Sequence, residues 1–564
     1  MITLARVFSD NAVFQRNTKI AIWGESDKAE TIAITLNDTE IMKADVKDGP
    51  FSLLLPPQEA ITDAKLAVGD AVLNGIDIGE VWIAGGQSNM EFLYKYVKDI
   101  KEDLESADDP HLRMYTVGQY SFEGQREAGY KAWNPWDRWI KYGEEGTEAF
   151  AAVATFFARK LRETGVPVGI INCSWGGTKA CAWTAADYMK NDRLSFVFED
   201  YENEIKPIDL DRYEKIKTYL WPSRFAKPEP GRNYNDIIVA NTFNPKNLMA
   251  IMGQSVADAN AADNSGKNEQ TENPMAQAEK LIGGPVGIMD TMIQGPGSER
   301  EPGALYENMV TEMAGYSCKG ALWYQGCSDE NRAKQYDLMM EALINCWRDS
   351  WKKVNPTQTK LPFLYVQLAP YGTWMQNSSV NYPDVRESQE RVKTFVSDVY
   401  MASISDVGNV FDIHPKDKKP VGERLYKLAE CYVYGKSYVK PEAPIGRSLE
   451  RIADDTVAVD FEYGDGLHIV ERDFSEYNGF SVEEIADVDE TLVPPTLGGV
   501  NALVVKADGN ALRNAVVRTD GNRLYITSDE LKGKSDIKIE FAKTGFYQVN
   551  VYNAEGLPAR PFAL

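Results

Sequence analysis

Residues 79–94 read Gly-Glu-Val-Trp-Ile-Ala-Gly-Gly-Gln-Ser-Asn-Met-Glu-Phe-Leu-Tyr, and one hydroxyl in this run, Ser88, is set where a nucleophile could act. The apolar residues Val81, Trp82, Ile83 and Ala84 predict a buried strand. Gly85 and Gly86 end it, and Ser88 follows where the chain turns. Glycines let the backbone bend without a Cβ clash and leave the neighbouring amides open to donate. A serine after a glycine turn is also an ordinary helix N-cap. Nucleophilic chemistry therefore requires a base, an orienting acid and oxyanion donors from elsewhere in the chain.

Histidine is the base suited to near-neutral pH, and the chain has only three: His111, His414 and His468. His468, in Gly466-Leu467-His468-Ile469-Val470, reads as a strand residue, and His111, after Asp109-Pro110, reads as a strand start. His414 follows a buried strand and precedes a helix beginning near Lys419-Pro420-Val421-Gly422. Catalytic groups of parallel sheets gather at the carboxyl ends of strands, which favours His414 as partner of Ser88. Asp412 stands two residues before His414, a spacing that can set a carboxylate against imidazole Nδ1. It could equally be a turn residue, and Asp406 is a competing carboxylate at the end of the preceding strand.

Acyl transfer also needs donors for an oxyanion. Three candidates end predicted strands: the Ser88 amide, the Gly176-Gly177 turn, and the side-chain amide of Gln325 in Trp323-Tyr324-Gln325-Gly326-Cys327. The segment Gly86-Gln87-Ser88-Asn89-Met90 lacks the second glycine of the Gly-x-Ser-x-Gly elbow, so the α/β-hydrolase arrangement is not expected.

The elements that must hold these groups fall into three stretches. Residues 1–75 carry short alternating runs such as Ile20-Ala21-Ile22-Trp23 and Thr31 to Leu36, predicting a small β-sandwich-like module. From residue 76 to 437, near-continuous apolar strands (Val168–Cys173, Gly320–Tyr324, Leu364–Leu368, Tyr400–Ile404) alternate with helical patterns. One such helix is predicted at 148–163, with Phe150, Val153, Ala154, Phe157 and Leu161 on one face. The alternation predicts an α/β domain with a parallel sheet covered on both faces. Residues 195–300 interrupt it as a polar insertion, with a Gly/Asn/Asp/Glu-rich tract at about 256–275. Residues 438–564 are strand-rich again and predict a C-terminal β-rich domain.

Composition excludes several roles. The 564 residues are 43% hydrophobic and 26% charged, a globular profile, and no stretch approaches a membrane-spanning length of about 18 apolar residues. The net charge of −23 argues against nucleic acid and anionic membrane surfaces as partners. The six cysteines form no Cys-x-x-Cys pair, so no structural zinc site is expected. The first residues do not read as a signal peptide, which implies a cytoplasmic protein, or a periplasmic or secreted one whose leader has been removed. Nothing in the sequence sets the oligomeric state.

Taken together, the blocks Gly85-Gly86-Gln87-Ser88-Asn89-Met90, Ser174-Trp175-Gly176-Gly177-Thr178, Trp323-Tyr324-Gln325-Gly326 and Asp412-Ile413-His414-Pro415 with Lys418, Gly422 and Arg424-Leu425 resemble the SGNH/GDSL hydrolase superfamily, specifically its sialate O-acetylesterase-like carbohydrate esterases. Phe8 to Arg16 and Tyr552 to Phe562 resemble the two ends of that family's chains. The resemblance implies a flavodoxin-like three-layer α/β/α domain with flanking β-rich domains. It implies hydrolysis of acetyl esters on sugars without a cofactor or metal. Ser88 would be the nucleophile, His414 the base and Asp412 the orienting acid, with Gly176 or Gly177 and Gln325 around the oxyanion. The family's Glu-Ser-Asn after Trp-Tyr-Gln-Gly is here Cys327-Ser328-Asp329. That departure motivates an alternative, a catalytically silent glycan-binding protein built on a degenerate esterase domain. The expected substrate is an O-acetylated sugar or glycan, with sialic acid, xylan and pectin-type esters all compatible.

Overall fold

The computed structural model describes residues 1–125, 138–225, 239, 279–280, 283, 294–374 and 377–564. The chain divides into two compact units: Met1–Ile237 with Gly253–Ser328 and Asp337–Phe363, and Ile238–Met252 with Asp329–Tyr336 and Leu364–Leu564.

In the first unit, residues 1–70 form strands and no helix. Ile20–Ser26 pairs antiparallel with Ile2–Leu4 and Gly49–Leu55, while Glu30–Leu36 pairs with Thr39–Val46 and Ile61–Val68. The next strand, Ala71–Gly86, runs 16 residues. Its first half pairs antiparallel with Ile61–Val68. From Ile76 every residue is buried, as expected for a strand covered on both faces. There it lies between two parallel neighbours, Val168–Ser174 and Gly320–Tyr324, with Asp109–Thr116 parallel beyond the former. Both neighbours are buried throughout, which fits their near-continuous apolar sequences.

The predicted 148–163 helix is Ala152–Arg162, and Val153, Ala154, Phe157 and Leu161 are buried as their spacing requires. Phe157 meets Trp82 edge-on at 4.9 Å. On the Gly320–Tyr324 side, Trp347 packs edge-on against Trp323 at 5.7 Å and donates its ring N–H to Trp183 O. Of the predicted insertion, helices Phe196–Ile205 and Leu210–Phe225 are described, whereas the 256–275 tract lies outside the described residues.

In the second unit, strand Val399–Ala402 and helices Tyr382–Val392 and Lys419–Leu428 precede the strand-rich end of the chain. Thr456–Glu462 pairs with Ile445–Ala453 and Arg523–Thr527, and Leu503–Ala507 pairs with Ile537–Phe541. Val457, Val459, Phe461, Val505, Leu524, Ile526, Ile539 and Phe541 share one core. The buried Arg386 guanidinium donates to the carbonyls of Leu368, Ala369, Thr544 and Gly545. A buried charge is tolerable only when so fully hydrogen-bonded. No helix among the described residues is long and apolar enough to cross a membrane.

Candidate functional site

The parallel register of the first unit brings three strand ends to one level. Gly86 pairs with Ser174 on one side and with Tyr324 on the other. Three sequence-singled segments, at Ser88, Gly176-Gly177 and Gln325, follow directly. Backbone bonds stitch them together: Gln87 N–H donates to Tyr324 O (3.1 Å) and Trp175 N–H to Gly86 O (3.0 Å). Gly86 has φ +138°, and a Cβ there would stand 2.2 Å from Tyr324 O, so the close approach of the strands needs glycine.

Ser88 is half-buried and is the first residue of a single helical turn, Ser88–Glu91. The N-cap is Gln87, and no side chain caps the turn, so Ser88 is not there as a cap. The Gln87 side chain instead reaches across the sheet end. Its Oε1 accepts from the Gly326 and Ser328 amides, both at 3.2 Å, and its Nε2 donates to Ser328 Oγ at 3.2 Å. Gln87 thus ties the Ser88 turn to the segment that follows Gln325.

Gly176 is the direct neighbour of Ser88: a Cβ built on it would lie 3.2 Å from Ser88 Cβ. Its amide donates to Glu91 Oε2 at 2.5 Å. Glu91 Oε1 accepts from Gln119 Nε2 at 2.8 Å, and that nitrogen also donates to Ser174 O at 3.1 Å. Burial pushes the Glu91 carboxyl above its ordinary value, while the bonds from Gln119 and Gly176 pull the other way. Gly177 is exposed. Gln325 is fully buried, with Nε2 donating to Thr178 O at 3.0 Å. Thr178 in turn donates its hydroxyl to Trp175 O (2.7 Å). Cys327 is buried with Sγ 4.0 Å from Asn89 Nδ2.

Asp412 and His414 belong to the second unit, and both are buried. Asp412 Oδ1 accepts the His414 backbone N–H at 2.8 Å, and Lys416 Nζ approaches Oδ2 at 2.9 Å. The ring Nδ1 of His414 is 3.8 Å from Asp412 Oδ1, longer than a hydrogen bond. The ring meets Trp374 edge-on at 5.2 Å. Burial pushes the Asp412 carboxyl up and the His414 imidazole well down, the latter helped by Lys418 and Lys416. A lowered imidazole favours its neutral form at the expense of its proton affinity.

The competing groups have other engagements. Asp406 is held bidentately by Arg424 at 2.7 and 2.8 Å and accepts from the Tyr552 hydroxyl. His111 Nδ1 lies 2.8 Å from the buried Asp77, which also pairs with Arg113. Asp77 is on the same strand as Gly86 but nine residues earlier, about 30 Å away at strand rise. His468 is exposed, with Nδ1 3.0 Å from Gly466 O.

Gln87, Glu91 and Gln119 were not singled out from the sequence. A signal for Glu91 existed, since three residues on from Ser88 in a helical turn is the same face. Gln119 and the partners of Gln87 carried none, because they are distant along the chain.

Comparison with known proteins finds similar sequences and one similar fold. Residues 267–423, which include Gln325, Asp412 and His414, match the family model described as carbohydrate esterase, sialic acid-specific acetylesterase. The sialate O-acetylesterase of Rattus norvegicus is 23% identical over 467 residues, covering 77% of this chain and 73% of that protein. That of Homo sapiens is 22% identical over 485 residues, covering 80% and 74%. A crystal structure of a carbohydrate acetylesterase from Xanthomonas citri shares the fold, with a TM-score of 0.66 at 22% identity over 100% of this chain and 99% of that one. Over residues 267–423 the chain is thus similar to the sialic acid-specific acetylesterase family, and over most of its length to sialate O-acetylesterases.

Proposed function

We propose that this protein is a serine-dependent carbohydrate O-acetylesterase of the SGNH type, an α/β/α hydrolase domain with flanking β-rich domains. His414 takes the Ser88 proton as Oγ attacks the acetyl carbonyl, forming a tetrahedral oxyanion. The oxyanion is met by the Ser88 amide, the Gly176-Gly177 turn and Gln325. Gly177 is the more suitable donor of the two glycines, because the Gly176 amide already donates to Glu91. His414 then protonates the departing sugar oxygen, and the acetyl-enzyme is hydrolysed by water that His414 activates. Asp412 steadies the imidazolium.

The observation that carries this reading is the half-buried Ser88 with Gly176 alongside it, at the carboxyl end of parallel strands. A fluorophosphonate probe tests it: labelling should map to the Ser88 peptide. Intact glycan binding without labelling would favour the silent glycan-binding alternative, for which the Cys327 and Asp329 departures are the motive.

The role of Asp412 has its own test. Asp412→Asn keeps an oxygen acceptor for the His414 amide but removes the negative charge beside Lys416. We expect kcat to fall by about 100-fold or more with KM nearly unchanged, measured by acetate release from acetylated sugars. Near-wild-type kcat would remove Asp412 from the mechanism.

A further inference from the structure

Glu91 is a half-buried carboxylate next to the nucleophile turn, and the reaction scheme above does not use it. Its two oxygens have different partners. Oε2 holds the Gly176 amide at 2.5 Å, and Oε1 holds Gln119 Nε2 at 2.8 Å. Gln119 continues the chain of contacts to Ser174 O, at the end of the next parallel strand. Among the described residues, Glu91 has no ion-pair partner, and its carboxylate is held by hydrogen bonds. The forces that move its protonation are burial and these two hydrogen bonds. The cations on the adjacent helix are engaged elsewhere: Arg159 with Asp103, Lys160 with Glu163 and Arg162 with Asp109.

The geometry matters because Gly176 abuts Ser88: a Cβ on Gly176 would touch both Ser88 Cβ and Glu91 Oε2. Oxyanion donors act only when held in advance at the right distance from the nucleophile. A glycine turn has little stiffness of its own. A carboxylate accepting a backbone amide is among the stronger hydrogen bonds available to hold one.

We infer that Glu91, with Gln119, is a positioning residue that clamps the Gly176-Gly177 turn against the Ser88 turn and so sets the distance between nucleophile and oxyanion donor. This rests on the esterase reading for its effect on rate, but the clamp itself is a structural claim with a readout of its own.

The test uses the full chain with Glu91→Ala, Glu91→Gln and Gln119→Ala. For Glu91→Ala the expected result is a kcat lower by about tenfold or more with KM within about twofold, since the loss is of alignment rather than substrate binding. Glu91→Gln retains one oxygen to accept the Gly176 amide and should recover much of that loss. Amide hydrogen exchange across residues 174–178 should quicken in Glu91→Ala and return towards wild type in Glu91→Gln. Should Glu91→Ala fail to fold, Gln119→Ala removes only the Oε1 partner and is expected to show a smaller change of the same kind in kcat and exchange. Unchanged exchange in the folded variants, or a kcat within about threefold of wild type for both alanine variants, would overturn the clamp. If the wild-type protein releases no acetate from any acetylated glycan, the esterase reading fails, and the exchange measurement alone then decides whether Glu91 holds the turn.

Discussion

Ser88→Ala is expected to lower acetate release from p-nitrophenyl acetate and acetylated glycans by a factor of about 10⁴ or more. Removing the nucleophile of a Ser-His-Asp enzyme leaves only the contribution of binding and oxyanion donors. The loss should appear in kcat without a matching fall in stability. Ser88 is half-buried, and the N-cap of its helical turn is Gln87, so removal of the hydroxyl deletes no capping bond. Steady-state kinetics and a thermal melt on the same preparation separate the two effects. Undiminished turnover in the alanine variant would end the serine mechanism.

Gly86→Ala is expected to damage both fold and activity. At φ +138° the backbone is in a region that residues with a Cβ rarely enter, and the added atom would meet Tyr324 O at 2.2 Å and Tyr324 C at 2.8 Å. Those are backbone atoms of a buried parallel strand, so no side-chain rotation relieves the overlap. Strain and overlap together should cost about 2–4 kcal/mol, read as a lower denaturation midpoint. Separation of the strand ends would also break the bond from Gln87 N–H to Tyr324 O and displace Ser88. Gly177 is the contrasting position. Its φ is +76°, yet a Cβ there meets nothing within 4 Å, so Gly177→Ala should carry only a conformational cost of about 1 kcal/mol. Equal stability loss at the two sites would mean that the Tyr324 approach is not what demands glycine at 86.

Much of this was readable from local pattern. The strand ending at Gly86, the two flanking buried strands and the 152–162 helix all follow from runs and periods of a few residues, and short-range rules see those well. The scarcity of histidine narrowed the base to three residues, and strand-end placement singled out His414. Spacing was a weaker guide to Asp412. Two residues of separation suggested a carboxylate against imidazole Nδ1, but in the fold Asp412 takes the His414 backbone amide and Lys416, leaving Nδ1 at 3.8 Å. An aspartate that accepts the amide two residues on is making the local turn such residues favour.

The chain read alone thus determines which residue types are available for acyl transfer and which strands end beside them, because hydrophobic period and glycine placement are local properties. The supports around Ser88 needed the tertiary structure. Gln87 meets Gly326 and Ser328 across some 240 positions of sequence, and Glu91 meets Gly176 across 85. Contacts of that range are set by the register of parallel strands joined through long crossovers. No local pattern encodes that register, and it decides which amide stands beside Ser88.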